Sequence, residues 1–300
     1  AYCIFALLFG FSFFIQDNSQ KEKGKDFRGR FAWRLVLLFF IACINSTLFP
    51  GEILVLYALL GYVMIAVCRF STRTIAFMAV FLLLQPFEWI QLIYTLINNE
   101  FIVNPLFDGP YWEIVNTVQK EGSFLELCKT TIVTGNIANM GWMLLHGRVT
   151  QTAGLFMVGM LIGRSKVFLY SEENIKLWTN VFIIATFAFF PIYGLAAVLP
   201  DFISQETLLI PSTLLLKSLS NIAFTGILFA GVILVYYLTK CRGVLHQLAP
   251  YGRMSLTNYL SQSLIGGFLF YNWGLGLYRY TGITVCVLMG IGMFFLQFLF

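Results

Sequence analysis

Arg30 to Tyr62 reads RFAWRLVLLFFIACINSTLFPGEILVLYALLGY. Two apolar blocks, 32–48 and 51–68, meet at a turn around Pro50 and Gly51, with one carboxylate, Glu52, set at the turn. Neither block alternates like a half-buried strand, and neither confines its apolar residues to one stripe like a soluble surface helix. Each is apolar all round and close to the ~20 residues needed to cross roughly 30 Å of hydrocarbon. The stretch therefore predicts a membrane helical hairpin.

The same pattern recurs outward from it. Apolar runs predict helices at 1–16, 32–48, 51–68, 74–97, 150–163, 175–199, 218–238, 254–272 and 282–300. The expected fold class is all-α, a polytopic transmembrane bundle of about nine helices forming a single integral-membrane domain over 1–300. Composition agrees: with 59% hydrophobic and 11% charged residues, a soluble chain would lack the charge to cover its surface. The six cysteines form no CxxC pair and mostly sit within apolar blocks, so they read as small packing residues.

The net charge of +5 is explained by position. The connections after the first, third, fifth and seventh helices carry Lys21, Lys23, Lys25, Arg28, Arg30, Arg34, Arg69, Arg73, Arg164, Lys166, Lys176, Lys240, Arg242 and Arg253. The opposite connections carry only Lys120, Lys129, Arg148, Lys217 and Arg279. That asymmetry places the first set in the cytoplasm and leaves no reason to invoke a nucleic acid. It also puts Ala1 on the outer side, so an earlier helix is expected. The opening block has neither the basic n-region nor the A-x-A site of a signal peptide. The sequence thus reads as a fragment of a longer chain, cut short at its N-terminal end. Its one long connection, 98–149, is expected outside the membrane as a structured cap. Residues 130–146 are expected to form an interfacial or re-entrant helix.

Polar residues inside apolar segments are the candidates for chemistry, because each is costly there unless it faces a partner or a wet cavity. Glu52, with Asn45 across the same turn, is either a helix-start carboxylate or a base lining an outer pocket. Glu88 lies inside the 74–97 run with Gln85, Pro86 and Gln91 close by; it is either a cavity-lining group or a structural clamp between helices. His146 and Arg148 precede a helix on the outer side, where a histidine is a candidate general base and an arginine a candidate anion holder. In APYGRMSLTNYLSQSLIGG (Ala249 to Gly267), Ser255, Asn258 and Gln262 fall along one helical stripe behind Arg253. The stripe suits either helix packing or a phosphate-bearing ligand entering at Arg253. No metal site is expected.

Four stretches carry a family resemblance: IFALLFGFSFF at Ile4 to Phe14, the opening stretch from Arg30 to Tyr62, GLFMVGMLIGR at Gly154 to Arg164, and YGRMSLTNYLSQSLIGGFLFYNWGLGLY at Tyr251 to Tyr278. Together they resemble the YeiB-like family, domain of unknown function 418. The resemblance implies a multi-pass protein of the bacterial inner membrane. It also implies kinship with sugar-modifying transmembrane acyltransferases, among them the heparan glucosaminide N-acetyltransferases and the acyltransferase-3 proteins. The implied activity moves an acyl group from cytoplasmic acyl-CoA to a saccharide or lipid acceptor at the outer face, with no resident cofactor. On that scheme Arg253, Ser255, Asn258 and Gln262 form the donor entry and Glu88 lines the path. Glu52 and His146 work at the acceptor end, with Asn45 and Arg148 binding substrate. Two departures stand out. Glu52 occupies the place of the family's usual Asp, and Asn45 that of a frequent His, which as an asparagine cannot shuttle a proton. The family's earlier D-x-x-R-G-like helix and its G-P-L-E-W-L-W-R-like tail are absent from this sequence, so the resemblance implies a chain truncated at both ends. Two other functions fit the same residues: a transporter or flippase for a small anionic solute or lipid, and a non-enzymatic membrane scaffold.

Overall fold

Every regular element in the computed structural model, which describes residues 2–98 and 110–299, is helical. Residues 99–109, which begin the expected outer connection and include the start of NPLFDGPYWE, lie outside the described residues. In chain order the helices are α1 (Tyr2–Glu22), α2 (Arg28–Ser46), α3 (Leu54–Val67), α4 (Thr72–Leu83), α5 (Pro86–Asn98), α6 (Tyr111–Glu121), α7 (Phe124–Thr130), α8 (Asn136–Leu145), α9 (Arg148–Ser165), α10 (Glu172–Phe202), α11 (Glu206–Leu238), α12 (Arg242–Gln247), α13 (Ala249–Arg253), α14 (Ser255–Phe270) and α15 (Ile283–Leu299). A π-helical turn, Thr131–Gly135, joins α7 to α8, and a 3-10 turn, Leu277–Arg279, precedes α15.

Three of these are long and apolar enough to cross a membrane: α2, α10 and α11. The pair α4 and α5, bent by 41° at its break, makes a fourth if it acts as one span. That bend revises the expectation of a single helix over 74–97. Gln85 adopts a left-handed conformation (φ 60°) and Pro86 starts the next helix. Glu88 therefore sits in the first turn of α5, not in mid-helix. α11 starts twelve residues before the expected 218, because Pro211 is carried inside the helix instead of ending it.

Contacts divide the chain into two units, Ala1–Leu37 with Leu56–Asn104 and Met143–Thr239, and Leu38–Val55 with Pro105–Trp142 and Lys240–Phe300. In the first unit α1 packs along α9 through glycines. A Cβ on Gly10 would lie 2.7 Å from the Phe156 carbonyl carbon, and one on Gly159 would lie 2.8 Å from the Phe11 nitrogen. Glycine at both places lets the two backbones approach closely, as small residues do in membrane helices. α4 rests on the next part of α9, where Gly154 faces Leu83 and Ala79. α10 and α11 form a long hairpin, with Gly226 against Ala185 and Gly231 against Phe182. Arg164, near the end of α9, closes the α3–α4 turn by donating to the carbonyls of Cys68 (2.8 Å) and Phe70 (3.0 Å).

In the second unit α7 starts with a capping box in which Ser123 and Glu126 satisfy each other's backbone N–H groups. Thr131 then donates to the Leu127 carbonyl at 2.7 Å and reaches the Thr47 carbonyl at 3.3 Å. Asn136 donates to Ser46 Oγ at 3.1 Å, so this helical rod is stitched to the turn after α2. The end of α6 is tied to the α14–α15 connection: Arg279 and Tyr278 both donate to the Lys120 carbonyl at 3.1 Å. They satisfy an acceptor that the last turn of α6 leaves open.

Candidate functional site

The buried polar cluster of the second unit grows from the turn Thr47–Ile53. Glu52 lies two residues before α3, and its Oε1 accepts the Leu54 N–H at 2.7 Å, supplying one of the donors at that helix start with a partner. Its Oε2 accepts from Asn45 Nδ2, which also donates to Ser263 Oγ at 3.1 Å. Tyr259 OH, one turn before Ser263 on α14, donates to Oε1 at 3.2 Å. The Glu52 carbonyl takes the Asn139 amide. Glu52 has no exposed surface, and Asn45, Asn139 and Ser263 are all buried.

A buried carboxylate must be hydrogen-bonded or paired. Here three neutral donors meet it, and among the described residues no lysine or arginine forms an ion pair with it. Neutral dipoles, and no cation among those residues, hold the group in place.

The first unit has its own cluster, at the turn before α9. The Gln85 amide faces four oxygens: Glu88 Oε2 at 3.0 Å, Glu88 Oε1 at 3.2 Å, the Gly147 carbonyl at 3.2 Å and Thr150 Oγ1 at 3.1 Å. Only the amide nitrogen answers such a set, so Gln85 donates and Glu88, 3% exposed, accepts. Gly147 has φ 62°, and a Cβ there would run into both side chains. His146 is half-buried in the same turn. Arg148 places its guanidinium 4.3 Å over the Tyr2 ring and donates to Tyr2 OH and to Gln151 Oε1 (3.3 Å). Gln151 in turn donates to the Ser218 carbonyl at 2.9 Å, so Arg148 belongs to a network tying α1, α9 and α11 together.

The stripe on α14 turns toward α13 and α15. Asn258 donates to the Tyr251 carbonyl (3.1 Å), and Gln262 to Gln297 Oε1 (2.8 Å). Gln297 Nε2 returns bonds to the Asn258 carbonyl (3.0 Å) and Ser261 Oγ (2.6 Å). Arg253 is exposed at the end of α13, and Ser255 is half-buried at the start of α14. The structure thus joins Asn45 to Glu52, sets Glu88 against Gly147 between His146 and Arg148, and places the amides of Asn258 and Gln262 in helix packing. Tyr259, Ser263 and Asn139 were not singled out with Glu52 by the sequence. Tyr259 and Ser263, four residues apart on one helix face, are the only trace of that arrangement the sequence carries. Among the described residues no group of three His, Cys, Asp or Glu side chains is placed to hold a metal.

Residues 162–300 match the family described as "Protein of unknown function (DUF418)". This is the family whose motifs the sequence resembles. The DUF418 match takes in Tyr259 and Ser263, while Asn45 and Glu52 precede it. The chain is also similar to "Uncharacterized protein YxaH" of Bacillus subtilis (strain 168), 24% identical over 324 residues, covering 99% of this chain and 73% of that protein. No solved structure matches the chain.

Proposed function

We propose that the protein is a multi-pass acyltransferase of the bacterial inner membrane, with about nine spans and an extracytoplasmic 98–149 connection. It would transfer an acyl group from cytoplasmic acyl-CoA to a saccharide or lipid acceptor on the outer side. The observation that carries this reading is the buried Glu52 carboxylate, held by Asn45, Tyr259 and the Leu54 N–H with no cationic partner among the described residues. The motif resemblance and the DUF418 match support it. In the proposed step an acceptor hydroxyl gives its proton to Glu52 as its oxygen forms a C–O bond to the thioester carbonyl. The C–S bond then breaks, and the departing thiolate takes the proton from Glu52. Because Glu52 has no exposed surface, the turn Thr47–Ile53 must open for the acceptor to enter.

The test is label transfer in proteoliposomes, with radiolabelled acetyl-CoA on one side and a panel of saccharide and lipid acceptors on the other. Wild-type protein labels an acceptor, and the near-isosteric Glu52→Gln falls about 10²–10⁴-fold, the usual weight of a general base. Absence of wild-type transfer across the panel, or undiminished transfer by Glu52→Gln, overturns the proposal.

A second reading, transport of a small anionic solute or lipid, is favoured by the break at Gln85 with buried Glu88 beside it, since broken helices often build transporter sites. Donor-independent uptake that Glu88→Gln abolishes would support it over the first.

A further inference from the structure

Where the end of α1, the loop to α2 and the end of α3 come together, the first unit has an open cleft of 260 Å³. None of the residues discussed as candidate sites lines it. With a water occupying about 30 Å³ in the liquid, the cleft has room for a phosphate and part of its ester arm. Its walls carry four cations, Lys21, Lys25, Arg28 and Arg69, and two carboxylates, Asp17 and Asp26, a surplus of two positive charges.

The carboxylates organise these walls. Asp17, buried on α1, holds the Lys21 ammonium one turn on. Asp26 accepts the Arg28 backbone N–H at 3.0 Å and its side chain at 2.7 Å from Nη2 and 3.0 Å from Nε. Those bonds keep the Asp26 carboxyl well below the usual carboxylate range, so it stays ionised and the guanidinium stays oriented. The Arg69 guanidinium forms a longer ion pair with Asp26, at 3.7 Å and without a hydrogen bond, and is 66% exposed. Held by that loose pair, its N–H donors, like the ammonium of exposed Lys25, face solvent at the cleft. Membrane topology asks only for positive charge near helix ends. It does not ask for a cleft, or for carboxylates that fix the cations around one.

We propose that this cleft binds a phosphate-bearing group, with Arg69, Lys25 and Lys21 as its ligands and Asp17 and Asp26 as positioning residues. An arginine fork beside two ammonium groups is the donor set that phosphate oxygens recognise. The group belongs either to an anionic phospholipid headgroup or to a soluble phosphate ester, and the experiment separates the two.

The full chain is reconstituted in nanodiscs of phosphatidylcholine. Inorganic pyrophosphate is titrated by calorimetry, and retention of phosphatidylglycerol against phosphatidylcholine is measured by native mass spectrometry. The variants are Arg69→Ala with Lys25→Ala, both at exposed positions, and Lys217→Ala as a control away from the cleft. For a soluble ligand, pyrophosphate binds wild type and the control alike, and the double variant binds about tenfold or more weakly, the scale of one charge-assisted contact. For a lipid ligand, pyrophosphate does not bind, but wild type and the control retain phosphatidylglycerol and the double variant loses it. If wild type takes neither probe, or if the double variant matches wild type with both, the proposal is overturned.

Discussion

Replacing Gly10 by alanine tests the crossing of α1 and α9. In an isolated helix the change is favourable by up to about 1 kcal/mol, because glycine is the poorer helix former. Here the added methyl would stand 2.7 Å from the Phe156 carbonyl carbon and 2.8 Å from its Cα, and closer still to the carbonyl oxygen. Ordinary contact begins at 3.4 Å, so the carbonyl carbon alone asks the helices to part by about 0.7 Å and the nearer oxygen asks for more, and no rotamer can relieve the overlap because every atom met is backbone. Overpacking costs about 1–3 kcal/mol, and a backbone obstacle puts this case at the upper end, leaving a net loss of about 2 kcal/mol. Gly159→Ala meets the Phe11 nitrogen and the Leu7 carbonyl at the same crossing and should cost a similar amount. Once one methyl has separated the helices, the second finds room. The double variant should therefore lose about 3 kcal/mol, short of the sum. Gly194, whose Cβ would meet nothing within 4 Å, is the control and should lose nothing. Unfolding against SDS mole fraction in mixed micelles measures all four proteins. Single variants as stable as the control, or full additivity in the double, would refute the close-contact argument.

Gly147→Ala places a methyl 2.8 Å from the Glu88 carboxyl carbon at a left-handed backbone position, and should cost about 2–4 kcal/mol from backbone strain and the disturbed Gln85–Glu88 bond. In a Glu88→Ala background part of that loss should disappear in the same unfolding assay; an equal loss in both backgrounds contradicts the contact. Gln297→Leu removes the amide that bonds Gln262, Asn258 and Ser261, and should lower amide-exchange protection along α15. Unchanged protection would mean those bonds do not hold α15 to α14. Asp26 has a folded pKa below its unfolded value because of Arg28, so its contribution is complete above the unfolded value of about 4 and fades as pH falls below it. The melting midpoints of wild type and Asp26→Asn should thus differ at neutral pH and converge in acid, and a constant gap across the titration would count against the pair.

Apolar runs located the long apolar helices, such as α2, α3, α9, α10, α14 and α15, to within a few residues, since a segment apolar on every side has one stable backbone solution in lipid. The short helices α6, α7, α12 and α13 carry no such run. Nor did the runs reveal the break at Gln85. Pro86 permits a kinked helix or two helices, and the side chains at the break, Gln85 and Glu88, pack against Gly147, some sixty residues away, where no side chain fills the space. Pro191, Pro200 and Pro211 lie inside helices, so proline alone marks no boundary here. For the Glu52 cluster, the pairing with Asn45 could be read because both flank one short turn. Tyr259 and Ser263 could not be assigned to it, because α14 is polar on two sides. Asn258 and Gln262 belong to the side facing α13 and α15, while Tyr259 and Ser263 belong to the side facing Glu52.

The hairpin of α10 and α11 has a physical corollary. At 1.5 Å per residue its arms, 31 and 33 residues, measure about 46 and 50 Å, against roughly 30 Å of lipid hydrocarbon. Two rods that outreach the oily layer must lean within it, thicken it nearby or stand proud of its surface. The hairpin should thus respond to the length of the surrounding acyl chains, and the tail length of the host lipid becomes a handle on its inclination.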